Sequence, residues 1–242
     1  MSVVIIIPAR LASTRLPHKL LLDLGGKTVL QRTYEQALKA RRANTVVIAA
    51  DAGEIVDAAR GFGAQAILTR ADHQSGTERI AEAAATLKAD TIVNIQGDEP
   101  EIDPAHIDAL IDAHARARRF AATLACPYPA DIDPDYPAAV KAILGEEVDH
   151  DHQIYAAKDF SRKPPPPSSS PLYLHIGAYA FSRDSLMRFV AAPRGVRETS
   201  ESLEQLRILE MGETIAVRIV GPAARGIDTA EDIEKARRRL AG

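Results

Sequence analysis

Apolar and polar positions alternate in blocks along the first half of the chain. Short continuous apolar runs, such as Val3 to Ile7, give way to longer stretches whose apolar residues recur at helical spacing. The order is strand-like "SVVIIIPA", helical "VLQRTYEQALKAR", strand-like "NTVVIAAD", helical "EIVDAARGFG", strand-like "QAILTR", helical "ERIAEAAATLKA", strand-like "DTIVNIQGD" and helical "PAHIDALIDAHARAR". Strands that are apolar throughout and separated by helices indicate parallel strands covered on both faces. The pattern predicts an α/β fold built on a doubly wound, mostly parallel, Rossmann-like sheet. Past residue 120 the rhythm loosens, with strands expected at "AATLACPY", "AAVKAIL", "LHIGAYAFS" and "TIAVRIV". A helix at "ESLEQLRILEMG" separates the last two of these, and a late helix is expected at "TAEDIEKARRRLA".

One stretch breaks the alternation, "SRKPPPPSSSP" at residues 161 to 171. Its four consecutive prolines favour polyproline II and its serines add flexibility, so it reads as an exposed connector, with a ligand for a proline-binding domain as the alternative. No internal repeat is evident. The expectation is a single domain over residues 1–242, with a protruding excursion at about 130–175.

In open α/β sheets ligands sit beyond the carboxyl ends of the strands, so the residues after each strand carry the candidate chemistry. The first strand runs into "RLASTRLPHK", which offers Arg10, Ser13, Arg15 and Lys19 with no carboxylate among them. Like charges crowded beside a core strand repel unless an anion lies between them, and two forks and a point charge suit a polyphosphate. The glycine-rich phosphate loops are absent there; "GFGAQA" at 61–66 matches a dinucleotide fingerprint but follows a helix and precedes a strand, so it reads as a helix end. The second strand is followed by Asp51, the third by "TRADHQSGTER", and "TIVNIQ" by "GDEP".

In "GDEP", Asp98 is a candidate ligand for a hard cation such as Mg²⁺, which favours one or two carboxylates plus phosphate oxygens; a turn-stabilising role is the alternative. Asp228 in "GIDTAEDIE" is ambiguous too, because Thr229 and Asp232 have the spacing of a capping box and an acid here serves a helix start equally well. Ser75 and Glu78 share that spacing, while free amides at that helix start, with Arg79, could hold part of a nucleotide. His150 and His152 have metal-like spacing without further anchored ligands, and read as a surface loop.

Composition narrows the classes. The chain has 242 residues, 46% of them hydrophobic, enough for a sizeable core. Thirty Lys and Arg against thirty-three Asp and Glu leave a formal charge of −3, which provides no general field for nucleic acid; any anion must be met by a local basic patch. The lone Cys126 excludes an internal disulfide and reads as a buried apolar residue in a reducing compartment. No apolar run is long enough to span a membrane, and the first strand lacks the basic and cleavage regions of a signal peptide, so a cytoplasmic protein is expected.

These segments together resemble the 3-deoxy-manno-octulosonate (Kdo) cytidylyltransferase family, the CMP-Kdo synthetases. "IPARLASTRLPHKLL", "TRADHQSGTERI", "IVNIQGDEP", "AVKAI", "FSR", "LHIGAYAF", "SLEQLRILE" and "GIDTAEDIEKAR" carry the likeness in family order across nearly the whole chain. The resemblance implies a nucleotide-diphospho-sugar transferase-like fold and transfer of CMP from CTP to the anomeric hydroxyl of Kdo, with pyrophosphate released, for lipopolysaccharide assembly. It implies that Arg10, Arg15 and Lys19 contact the triphosphate, with Ser13 in the same loop, and that Ser75, Gly76, Arg79 and Gln96 place the cytidine end. Asp98 and Asp228 would hold Mg²⁺. The sugar acid would fall to His175, Tyr179, Glu204 and Gln205, with Lys141 and Arg162 at its margin, and the protein would be a homodimer with its arm in the excursion. A cytidylyltransferase for sialic acid or amino-Kdo, and a catalytically silent nucleotide-binding protein, stand as alternatives. The chain departs from the family's usual "RLPGKPL", with His18 in place of a glycine and Leu20 in place of a proline; Leu174 replaces a basic residue. A side chain at position 18 implies either a reshaped loop or a residue held in glycine's region of backbone space.

Overall fold

The computed structural model describes residues 2–13, 15–165 and 171–241. The centre of the proline-serine connector therefore lies outside the described residues. The chain forms two compact units, residues 1–108 with 224–242, and residues 109–223.

The first unit is built on β1 (Val3–Ala9), β2 (Thr45–Ala50), β3 (Gln65–Leu68) and β4 (Thr91–Asn94) in the order β3-β2-β1-β4. All its pairings are parallel, with Ile6 opposite Val47 on one side and Asn94 on the other. The strands alternate with α1 (Val29–Ala37), α2 (Gly53–Gly61), α3 (Gly76–Ala85) and α4 (Pro104–Ala117), and the division between units falls within α4. This is the doubly wound α/β arrangement that the apolar blocks predict. All seven residues of β1 are buried, so the central strand is covered on both faces, as a continuous apolar run requires. Helix α1 buries Val29, Leu30, Thr33, Tyr34 and Ala37, one stripe at helical period, and Thr28 caps it by accepting the Gln31 N–H at 3.0 Å. The glycine decoy is a helix end: Gly61 closes α2 and Gly63 takes φ 81° in the turn to β3.

The second unit contains β5 (Ala121–Pro127), β6 (Lys141–Asp149), β7 (Ile154–Ser161), β8 (Tyr173–Ser182) and β9 (Ile215–Ile219). Their order is β8-β5-β9-β7-β6, and β6 returns to β8 through Lys141 and Ala142, so the five strands close on themselves. Within it β5 and β9 are parallel and the remaining pairings are antiparallel. Strand β7 and helix α5 (Arg183–Ala191) are not expected from the pattern; of the predicted "ESLEQLRILEMG" helix only α7 (Gln205–Glu210) forms, and an unexpected helix α6 (Val196–Glu201) precedes it, the break falling at Ser202, whose φ is 53°. The late helix is α8 (Ala230–Ala241), in the first unit. Cys126 is buried and free, and burial pushes its thiol up. His150 is exposed beside Glu147, and His152 bonds Asp149, as a surface loop would have them.

A buried ion pair fixes α6 to α7. Arg207, 1% exposed, presents a fork to Glu198, 4% exposed, at 2.7 Å through Nε and 2.5 Å through Nη2. The guanidinium also lies over the Phe189 ring of α5, 4.3 Å from its centroid, and donates to the Phe189 carbonyl at 3.3 Å. Removing one partner leaves a desolvated charge, so Glu198→Ala is expected to cost about 3–5 kcal/mol of stability, read from urea unfolding.

Candidate active site

The segment after β1 is a turn that delivers Lys19 at the start of a short 3₁₀ turn, Lys19–Leu21. His18 immediately before it has φ 53° and ψ 26°, the left-handed region. The loop is thus not reshaped to suit a side chain; His18 takes the conformation for which glycine is the permissive residue. Leu20 is buried, and a Cβ on Gly97 would lie 3.2 Å from its side chain and 3.0 Å from the Pro8 carbonyl, so the loop rests directly on the "GDEP" turn. Thr33 of α1 donates to the Gly97 carbonyl at 2.9 Å and holds that turn from another side.

On this support three distant segments meet. The Lys19 ammonium lies 2.5 Å from Asp98 Oδ2 and 3.1 Å from Asp228 Oδ1, and Arg15 Nη2 lies 3.0 Å from the same Asp228 oxygen. Lys19 is nearly enclosed, with 12% of its side chain exposed, whereas Arg15 remains open at 63%. The ambiguity at the C-terminal helix is resolved by the hydrogen bonds. Thr229 Oγ1 accepts the Asp232 N–H at 3.2 Å, and Asp232 accepts the Thr229 and Asp228 N–H groups at 2.9 and 3.1 Å. Capping is therefore supplied by Thr229 and Asp232, and the Asp228 carboxylate is directed to the two cations.

Glu99, next to Asp98, was not singled out in the sequence. Burial, with Asp98, Asp228 and Glu101 nearby, pushes its carboxyl up to about 8, against the pull of Lys19. Its oxygen would lie 2.8 Å from a Cβ on Gly226, so the segment leading to Asp228 closes over it, helped by the Ile227 N–H bond to the Asp98 carbonyl at 2.8 Å. Only the acidic doublet in "GDEP" hinted at a second carboxyl; what surrounds it arrives from residues 226–228.

The expected nucleotide end lies at the start of α3. Ser75 caps the helix, accepting the Glu78 N–H at 3.2 Å, but Glu78 reaches back to the Gln74 N–H at 2.9 Å and so spans one residue further than a strict capping box. A Cβ on Gly76 would lie 3.2 Å from Pro8 and 3.5 Å from Gln96 Oε1, so the end of β1, Gln96 and the helix start are adjacent. Arg79 is 3% exposed, donating to Thr69 Oγ1 at 2.8 Å and to the Arg70 carbonyl at 3.0 Å. Burial pushes its pKa down, Asp51 and Glu82 oppose this, and nearby Arg10 adds to it. Arg10 is exposed and Ser13 half-exposed in the loop.

In the second unit the expected sugar-side residues form a cluster of their own. The His175 ring lies 4.9 Å from Phe160 and 5.6 Å from Tyr179, and its Nε2 is 2.9 Å from Thr123 Oγ1. Burial lowers the His175 pKa to about 3, so the ring is neutral at any working pH. Tyr179 donates to Gln205 Oε1 at 3.1 Å, and burial, with Glu204 nearby, raises its hydroxyl well above the ordinary value. Gln205 is 4% exposed and its amide nitrogen is buried without a protein partner. Thr123, which joins this cluster, carried no signal in the sequence beyond its place in a strand. Lys141 and Arg162 are engaged with backbone: Lys141 donates to the Arg162 carbonyl at 2.8 Å, and Arg162 to the Glu201 and Pro137 carbonyls at 2.7 and 2.8 Å.

A family model described as cytidylyltransferase matches residues 4–215. A protein of Chloroherpeton thalassium named 3-deoxy-manno-octulosonate cytidylyltransferase is 41% identical over 100% of this chain and 98% of its own length. One of Rhodopirellula baltica with the same name is 45% identical over 96% of both chains. The chain belongs to the 3-deoxy-manno-octulosonate cytidylyltransferase family. Among solved structures, a CMP:2-keto-3-deoxy-manno-octonic acid synthetase complexed with CTP superposes with a TM-score of 0.92 at 36% identity, covering 100% of this chain and 99% of that one. A 4-diphosphocytidyl-2C-methyl-D-erythritol synthase from Anaerococcus prevotii, at 15% identity and a TM-score of 0.67, shares the fold alone.

Two expectations follow for this cytidylyltransferase. Replacing His18 by glycine relieves a left-handed side chain, so His18→Gly should raise stability by about 1 kcal/mol in urea unfolding. Glu99 binds its proton more tightly folded than unfolded, so the metal- and nucleotide-free protein should lose stability as pH rises from about 4.5 to about 8. Glu99→Gln should flatten that decline, measured as urea midpoints across the same range.

Proposed function

We propose that this chain transfers CMP from CTP to the anomeric hydroxyl of Kdo, releasing pyrophosphate. The observation that carries the reading is the convergence of Lys19 and Arg15 with Asp98 and Asp228 at the strand ends of the first unit, in a chain whose full-length relatives bear the Kdo cytidylyltransferase name. Attack of a hydroxyl on the α-phosphorus needs the entering and leaving oxygens in line and the charge growing on pyrophosphate balanced. Arg10, Arg15 and Lys19 supply that balance, Arg15 from a largely exposed position beside Asp228. Ser13 sits in the same loop, while Ser75, Gly76 and Gln96 place the cytidine end. Arg79 contributes from within, through the residues its guanidinium ties together.

Mg²⁺ fits the donor set. Two carboxylates converge on a single ammonium, so a cation is already demanded there, and both are hard oxygen donors. An ion of this kind takes one or two carboxylates and completes its shell with phosphate oxygens and water. Asp98 and Asp228 would hold it, and when bound it would neutralise triphosphate charge. The acid sugar is assigned to His175, Tyr179, Glu204 and Gln205. Of these, His175 is neutral and acts as a hydrogen-bonding wall instead of a base, and the buried Gln205 amide offers a donor. A homodimer in the cytoplasm completes the proposal; no helix among the described residues is long and apolar enough to cross a membrane.

Incubation with CTP, Mg²⁺ and a panel of acid sugars tests the substrate: pyrophosphate release with Kdo and not with sialic acid or amino-Kdo is expected, and binding of CTP without release would sink the assignment. Asp98→Asn keeps the side chain's shape and leaves Lys19 its Asp228 partner, so it should fold normally yet lose about 100-fold or more in kcat. Near-normal turnover would remove Asp98 from the metal role.

A further inference from the structure

Asp51 follows β2 and has no part in the roles assigned above. Its backbone N–H donates to the Ala9 carbonyl at 3.1 Å, and its Oδ1 accepts the Leu11 N–H at 2.8 Å. Both chain neighbours of Arg10 are thereby bound by one residue. Its other oxygen, Oδ2, lies 3.6 Å from Arg79 Nη2, and 11% of the side chain is exposed. Arg79 is in turn fixed to Thr69, whose hydroxyl donates to the Ala50 carbonyl at 2.9 Å, one residue before Asp51.

We propose that Asp51 is a positioning residue for the nucleotide triphosphate: it clamps the backbone on either side of Arg10 and anchors that loop to the start of α3 through Arg79. The proposal rests on the cytidylyltransferase reading of the site. Arg10 is the first cation after a fully buried strand, and an exposed arginine on an unclamped loop would lose much of its binding contribution to ordering cost. A carboxylate is the residue suited to the position. It accepts from an amide on one side and balances a buried guanidinium on the other, where a neutral side chain would leave Arg79 beside Arg10 with less compensation.

The sign of the effect separates positioning from plain charge. Deleting a negative charge near a polyphosphate site should by itself tighten nucleotide binding. Loss of the clamp should weaken it. Asp51→Ala is therefore expected to weaken CTP binding about tenfold by calorimetry, and to raise the KM for CTP by the same factor, with kcat at saturating CTP and the KM for the acid sugar changed less than about threefold. Asp51→Asn retains an acceptor for Leu11 but loses the charge beside Arg79, so its loss in CTP affinity should be about threefold, between the parent and Asp51→Ala. In an Arg10→Ala background, Asp51→Ala should cost less than about twofold, because the residue it positions is gone. Unchanged or tighter CTP binding by Asp51→Ala, equal losses in the Ala and Asn variants, or additivity with Arg10→Ala would each overturn the proposal. Should Asp51→Ala fail to fold, Asp51→Ser, too short to bridge to Leu11, supports the same cycle. Absence of CTP binding by the parent protein would instead refute the nucleotide reading itself, before Asp51 is put to the test.

Discussion

A single ammonium group organises the first unit. Lys19 arrives after the first strand, Asp98 after the fourth and Asp228 from the C-terminal segment, and the salt bridges among them join residues 79 and 209 positions apart in sequence. Two carboxylates at such close quarters raise each other's energy unless a cation lies between them. The consequence reaches beyond the pair. Glu99 is left without a cation of its own and keeps its proton, and the helix that follows Asp228 must find its cap elsewhere, which Thr229 and Asp232 provide. The backbone around the ammonium is correspondingly constrained: His18 in the left-handed region and the side-chain-free surface of Gly97 let the loop lie close enough for Lys19 to reach.

Much of this was legible in the sequence because it rests on local or periodic features. The apolar runs at Val3–Ala9 and Thr45–Ala50 are buried parallel strands, and the capping spacing at Ser75 does mark a helix start. The basic loop after β1 and the acids after β4 were visible because strand ends are where an α/β sheet exposes its chemistry. What stayed hidden depends on contacts between distant segments. The hydrogen bonds alone separate Asp228 from the capping pair Thr229 and Asp232, and Glu99 owes its raised carboxyl to burial, then to Asp98 and to Asp228, which no spacing in the sequence places beside it. Strand β7 escaped because "IYAAKDFS" mixes buried and half-exposed positions without a clear period, and α5 because its helix begins with the polar residues Arg183, Asp184 and Ser185.

Buried polarity is handled in two ways. Around Lys19 in the first unit and between Arg207 and Glu198 in the second, ions are balanced by ions. The cluster around His175 is instead held neutral: burial keeps the ring unprotonated and the Tyr179 hydroxyl protonated, with Thr123 at the ring nitrogen and Gln205 Oε1 accepting from Tyr179. Beside this neutral cluster the Gln205 amide nitrogen is buried without a protein partner.

The way β6 returns to β8 leaves part of one strand margin open. Their ladder covers only Lys141 and Ala142, and β6 continues for several residues beyond it, to Asp149. That extension carries Gly145, Glu146, Glu147 and Asp149, the first three of them exposed. Acidic side chains along a strand margin repel an incoming strand, and a glycine interrupts the regular pleat that it would have to match. The stretch of backbone where the second unit's closure stops is thus the one whose glycine and acids suit it least to strand addition.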